Sequence, residues 1–257
     1  MEGGGSVAAP PERILPDGCI ELILNFGDQF FQHVDGKRQI QPRNFLVGQM
    51  TGPILISPSG PVELLGIRFQ PGGTRSFLLA PAHEFTDRVV DLGSFSGGFE
   101  RELSAACERV GTLDGRVAEA DAYLCERLIK SEYDSRLIKL ARTIIDCRGV
   151  VSVDQLASSA GVSSRQLERR FLREIGIGPK LLARIVRFQQ VFRAVEHCDS
   201  AWAAVAVECG YYDQAHLIRD FNQFAQQTPA VLFASQSSLT ESFTRKTRTS
   251  HFSNTVS

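Results

Sequence analysis

The sequence predicts an α+β chain in which a strand-rich N-terminal domain precedes an all-α C-terminal domain. Three observations predict it. Short apolar runs broken by Gly, Pro, Asn and Asp fill the stretch up to Phe69, the punctuation of a small sheet or barrel. From about Phe99 onward the apolar spacing is helical. The second half also repeats itself at an offset of about fifty residues, and repeated supersecondary units are the sign of a duplicated fold element.

The strand candidates are Cys19–Phe26, Phe30–Val34, Phe45–Val47, Ile54–Ser57 and Val62–Phe69, with one or two helical turns over Thr74–Leu79. Leu103, Ala106, Val110 and Leu113 share one helical face. Val117, Ala120, Leu124 and Leu128 share another, after a break expected at Asp114-Gly115. A domain boundary is expected near Ser131–Ser135. Leu137, Ile138, Leu140, Ala141, Ile144 and Ile145 then form an amphipathic helix that ends near Gly149. The expected domains are a flexible N-terminus (1–11), a sensory or dimerisation domain (12–131), a helical domain (132–235) and a Ser/Thr-rich disordered tail (236–257).

Composition narrows the function. With 43% hydrophobic and 22% charged residues the chain reads as a soluble globular protein. No apolar run reaches the roughly 18 residues of a membrane span, and Met1–Pro11 lacks the basic start and apolar stretch of a signal peptide. A cytoplasmic location without membrane contact is therefore expected. The six cysteines form no C-x-x-C pair, which argues against zinc and against a disulfide framework. The formal net charge of -1 conceals an asymmetry: residues 1–133 hold 12 Lys/Arg against 18 Asp/Glu, and residues 134–257 hold 16 against 11. A basic half suggests a polyanionic partner.

The repeat carries the functional argument. SVDQLASSAGVSSRQLERRFLREIGIGP from Ser152 and SAWAAVAVECGYYDQAHLIRDFNQFAQQTP from Ser200 each place Ala four residues before Gly (Ala157/Gly161, Ala206/Gly210). Each then gives Leu-x3-Phe-x7-Pro: Leu167, Phe171, Pro179 and Leu217, Phe221, Pro229. A short helix closed by a left-handed Gly, a small Ala beneath a crossing helix, and Leu and Phe at i and i+4 on one buried face describe a helix-turn-helix. Ser152 with Gln155 and Ser163 with Gln166 have capping-box spacing. Between the units, Leu181, Leu182, Ile185, Phe188, Val191, Phe192 and Val195 recur at helical spacing over Lys180–His197. Such a stiff spacer can set two reading helices against successive major grooves, about 34 Å apart on one face of a duplex.

On these residues, above all AVECGYYDQAHLIRDFNQFAQQTP (Ala206–Pro229), the stretch 136–234 resembles the DNA-binding domain of AraC-family transcription regulators. LPDGCIELILNFG (Leu15–Gly27), FxPGG (Phe69–Gly73) and FTDRVVDL (Phe85–Leu92) resemble an uncharacterised domain found ahead of such domains. The resemblance implies seven helices in two subdomains, with two helix-turn-helix units joined by the central helix. It implies a sequence-specific regulator of transcription, in the family's usual sense an activator, with double-stranded DNA and RNA polymerase as partners. It further implies a small-molecule effector or a homodimer organised by the first half, the helices around Phe99–Lys130 being the dimer surface; no cofactor is implied.

Carried over by position, the first recognition helix is Ser163–Glu174, with Ser164, Arg165, Glu168 and Arg169 facing out. Arg165 and Arg169 suit guanine O6/N7 or phosphate, and Glu168 suits cytosine N4. The second is Asp213–Phe224, offering Gln214 to adenine, Ile218 to a thymine methyl, and His216 and Arg219. Ala215 is small where longer polar residues are common, which implies fewer bases read. Ser163 and Asp213 stand where helix caps stand. Lys180, Arg184 and Arg187 are phosphate candidates, Arg187 equally a brace within the fold.

Enzyme readings find little support: no P-loop, G-x-S-x-G or H-E-x-x-H occurs. His33 and His83 lie far apart. Asp17 and Glu21 read either as paired acids or, for Asp17, as a turn residue capping its own backbone. The alternative function is a DNA-repair methyl acceptor delivered by the helical domain, with Cys19, Cys107 or Cys125 as the acceptor.

Overall fold

The computed structural model describes residues 11–77, 80–95, 98–129, 135–196, 201–234 and 249–254. The expected N-terminal flexibility (apart from Pro11), the domain boundary near 131 and most of the expected tail lie outside them.

Two antiparallel sheets build the first domain. One has the order β1 (Glu12–Ile14), β6 (Ile54–Pro58), β3 (Phe30–Val34), β4 (Lys37–Ile40). The other has the order β8 (Val89–Asp91), β5 (Asn44–Val47), β2 (Ile20–Asn25), β7 (Val62–Phe69), β9 (Thr249–Asn254). Strand β2 is central and apolar on both faces, and its side chains alternate. Ile20, Leu22 and Leu24 join Leu46 and Leu65 against a helical layer. Ile23 points the other way, with Phe45, Val47 and Leu64 of the same sheet and Ile14, Phe30 and Ile56 of the facing sheet. The helical layer is α1 (Phe99–Glu108) and α2 (Leu113–Ile129), seated through Phe99, Leu103, Cys107 and Ala120.

Two sequence expectations need correction. The break between α1 and α2 falls at 109–112, not at Asp114-Gly115, which lie in the first turn of α2; Gly111 precedes the turn and the capping position outweighs a lone helical Gly. Six residues of the expected disordered tail, Thr249–Asn254, pair antiparallel with β7 from Val62↔Asn254 to Ile67↔Thr249. The open edge of β7 supplies the ladder, and a pairing partner so distant in sequence leaves no local signal.

Seven helices, α3 (Ser135–Asp146), α4 (Val153–Ser159), α5 (Ser164–Ile175), α6 (Pro179–Glu196), α7 (Trp202–Glu208), α8 (Gln214–Phe224) and α9 (Pro229–Ala234), form the second domain around a single core. Helix α6 runs through its middle, with Leu182, Ile185, Phe188 and Val191 fully buried. The rings of Phe188 and Phe221 meet edge-on with centroids 4.8 Å apart, a favoured aromatic arrangement.

The domains are joined by more than the chain. Leu15 is buried in the helical domain's core. Pro16 O accepts from Gln189 Nε2 at 2.6 Å, and Ala225 O accepts from Arg13 Nη1. Thr86 Oγ1 donates to Gly176 O at 2.7 Å, and Arg75 pairs with Glu174 at 3.3 Å.

Candidate nucleic-acid interface and ligand cavity

Both helix-turn-helix units close by the same backbone device. In the first, Gly161 takes φ +66°, its N–H donates to Ser158 O, and Val162 N–H donates to Ala157 O. In the second, Gly210 takes φ +77°, its N–H donates to Val207 O, and Tyr211 N–H donates to Ala206 O. This is the Schellman arrangement, which needs a left-handed residue after the helix. The repeated Ala therefore does two things: it is buried under the second helix and its carbonyl accepts the closing bond.

The start of α5 is a complete capping box: Ser163 accepts from Gln166 N–H, and Gln166 reaches back to Ser163 N–H at 2.9 Å. Asp213 caps α8 by accepting from His216 N–H at 2.7 Å. Ser152 caps α4 more loosely, at 3.4 Å. With Leu167, Phe171 and Ile175 inward, α5 leaves Arg165, Glu168, Arg169 and Arg170 exposed. The basic end of this helix is open, while its C-terminal end docks on the first domain through Glu174 and Gly176. Ser164 is half-buried and donates to Asp154 of α4 at 2.6 Å, tying the two helices of the unit.

On α8, Gln214 and Arg219 are exposed, and His216 and Ile218 are half-buried. The His216 ring packs edge-on against Tyr211, with centroids 5.1 Å apart. Lys180 is exposed beside a recess that it shares with Arg187, Gly149 and Val151. Arg187 lies over the Tyr211 ring at 5.5 Å, a cation–π brace between α6 and the second unit.

Arg184, its side chain 26% exposed, is engaged within the fold. Its guanidinium donates to Asp220 at 2.6 and 3.1 Å and to Gln223 at 2.6 Å, and it covers the Phe224 ring. Asp220 is 1% exposed, so a buried carboxylate holds this arginine where sequence position alone reads as a free basic face. Spacing puts Asp220 on the buried face with Leu217 and Phe224, but nothing local names Arg184 as its partner.

The first domain encloses a cavity of about 40 Å³ between its sheets, walled by Ile14, Phe30, Phe45, Met50 and Ile56 and by three charged groups, Asp17, Glu21 and Arg68. Alternation explains the charges. Glu21 shares the inward face of β2 with Ile23, and Arg68 stands opposite it in the β2–β7 register. Arg68 Nε lies 3.2 Å from Asp17 Oδ2, and Arg68 Nη2 lies 3.6 Å from Glu21 Oε1. Both readings of Asp17 meet here: Oδ1 accepts from Cys19 N–H at 2.9 Å as a turn residue does, and Oδ2 faces Arg68. Burial raises both carboxyl pKa values against the pull of Arg68. Glu21, which also faces the charge of Asp17, is pushed up to about 7. Arg68 had no signal in the sequence beyond its place in an alternating strand.

Burial works against thiolate formation at two of the described cysteines, Cys107 and Cys209. Cys107 is buried in α1 with its pKa raised by desolvation, and Cys125 is exposed on α2. A methyl-accepting thiol needs thiolate character, which the surroundings of Cys107 oppose. Among the described residues no group of three or more His, Cys, Asp or Glu side chains gathers to hold a metal ion, and no helix is long and apolar enough to cross a membrane.

Residues 156–235 match the model of a helix-turn-helix domain, and residues 3–91 match that of a domain of unknown function, DUF6597. The first match, running from within α4 to α9, is thus a helix-turn-helix domain, in keeping with the two units closed by one backbone device. The second match falls on the two-sheet domain. No curated protein matches the chain. Among solved structures it is similar to ToxT from Vibrio cholerae O395, at 8% identity and TM-score 0.47 over 86% of this chain and 95% of that one. Unsaturated fatty acid bound ToxT from strain SCE256 is similar at 9% identity and TM-score 0.46, over 86% of this chain and 88% of that one. Likeness at this level identifies neither ligand nor activity.

Proposed function

We propose that the protein is a sequence-specific transcription regulator that grips double-stranded DNA with α5 and α8 and is controlled by a small molecule held in the N-terminal domain. The observation that supports it best is the pair of helix-turn-helix units closed by one backbone device on a shared, buried spacer helix, with the basic end of α5 left open. Arg165 and Arg169 read guanine or meet phosphate, and Glu168 accepts from cytosine N4. Gln214, His216, Ile218 and Arg219 read the second groove, and Lys180 meets phosphate. Arg187 steadies the second unit, and Ser164 acts by holding α5 on α4. Control reaches the DNA-binding half through Arg13–Gly18, which touches both the cavity and the helical core. Half-covered α2, with Leu128 42% exposed, is the surface offered to a second copy. RNA polymerase is the expected downstream partner, and the cytoplasm the expected site of action.

Selection of bound sites from random duplex DNA tests the reading. The expected result is one enriched site spanning two adjacent major grooves, with affinity falling steeply as salt rises because Lys and Arg release counterions. Recovery of unenriched sequence at every salt concentration overturns it.

A further inference from the structure

The charges in the cavity do not balance. Among the described residues, Asp17 and Glu21 face one cation, Arg68, between largely apolar walls. Glu21 Oε1 is sealed from solvent and accepts no hydrogen bond among the described residues, and its nearest cation stands 3.6 Å away. Among the described residues, the groups around Glu21 are Asp17, Arg68 and the Cys19 thiol from the titratable ones, the neutral amide of Gln41, and otherwise apolar side chains. A buried anion without a full partner is costly. Filling the remaining charge requires one positive group, and the walls require an apolar body behind it.

We infer that this cavity is a binding site for a small organic monocation, a primary amine on a short apolar chain, whose ammonium donates to Glu21 and Asp17. The space of about 40 Å³ holds only a few waters at about 10–15 Å³ each, so a body of about two to four carbons displaces them and larger ones must move Met50. Arg68 remains paired with Asp17 and excludes a second cation. Carboxylates of the same length are refused, since they add a third anion beside one arginine. The inference deepens the effector role proposed above, but it stands or falls on the protein without DNA.

Binding is also linked to a proton. The cation needs Glu21 ionised, and Glu21 titrates at about 7 in the empty cavity. Affinity therefore rises with pH below that value and levels off above it, with about a tenfold gain from pH 6 to pH 8.

The test is calorimetric titration of the full chain at pH 8 and pH 6 with n-propylammonium, with n-butylammonium, and with propanoate and butanoate at matched ionic strength. The expected result is saturable one-to-one binding of the amines only, about tenfold tighter at pH 8, and weakened at least about tenfold in Glu21→Gln. Absence of saturable amine binding, equal binding of carboxylates, or an unchanged amine affinity in Glu21→Gln overturns it. Should that variant not fold, the wild-type amine–carboxylate contrast and pH profile decide alone. DNA-site selection on the same preparation reports separately on the regulator reading.

Discussion

The two helix-turn-helix units share a backbone and differ in what surrounds it. The first is polar at its working surface. Helix α5 exposes Arg165, Arg169 and Arg170, its start is held by a capping box, and its tie to α4 is the partly exposed Ser164–Asp154 bond. The second is built inward. Phe188, Phe192, Phe221, Phe224 and Phe233 interlock, and a buried ion pair, Asp220–Arg184, fastens α8 to the spacer helix. The second unit is thus rigidly part of the spacer, while the first presents charge. The two units share closure and core positions and differ over the remaining surface.

The contrast breaks most readily at Asp220. Asp220→Ala removes two charge-assisted bonds from Arg184, which keeps Gln223 and partial solvent contact, and is expected to cost about 2–3 kcal/mol of stability. Ser164→Ala in the first unit removes a solvent-accessible bond and is expected to cost about 1 kcal/mol or less. Denaturant unfolding of the two variants compares them directly; equal losses would dissolve the distinction between an inward and an outward unit.

Binding should divide in the opposite sense. Arg169→Ala is expected to lose about 1–3 kcal/mol of discrimination on the selected site. Arg219→Ala, on a helix with Ala215 beside it and no second exposed arginine, is expected to lose less. Fluorescence anisotropy with matched and single-mismatch duplexes reads both, and a larger loss at Arg219 would reverse the assignment of the main reading helix.

The smallest effects concern the shared turn. Gly161→Ala meets open space and pays only for its left-handed backbone, about 1 kcal/mol. Gly210→Ala meets the same backbone cost and also the Val150 side chain, so its loss should be visibly larger. Thermal melts of the pair settle whether the second turn is the more tightly packed. Ser163→Ala, which removes the cap of α5, should cost about 1 kcal/mol, close to the Gly161 value.

Much of this was legible locally. Both left-handed glycines, the Ser163–Gln166 box, the Leu167/Phe171 and Leu217/Phe221 faces, and strands β3 and β7 follow from spacing rules that act within a few residues. Short edge strands were not: β1, β4 and β8 have three or four residues each, too few for alternation to declare itself. The partner of Arg184 is hidden for a related reason. An arginine one helical turn along a basic face looks solvated until the carboxylate that claims it, 36 residues away, is brought alongside.

By itself the sequence determined the order of the two domains, the duplicated helix-turn-helix and the faces that each helix buries, because caps, turns and hydrophobic period are written in neighbouring residues. Only the tertiary structure decided which charges meet. It set Arg68 between Asp17 and Glu21, gave Arg184 to Asp220 and docked the Arg13–Gly18 segment on the helical core, because Coulomb energy and burial depend on distances that the chain acquires only once folded.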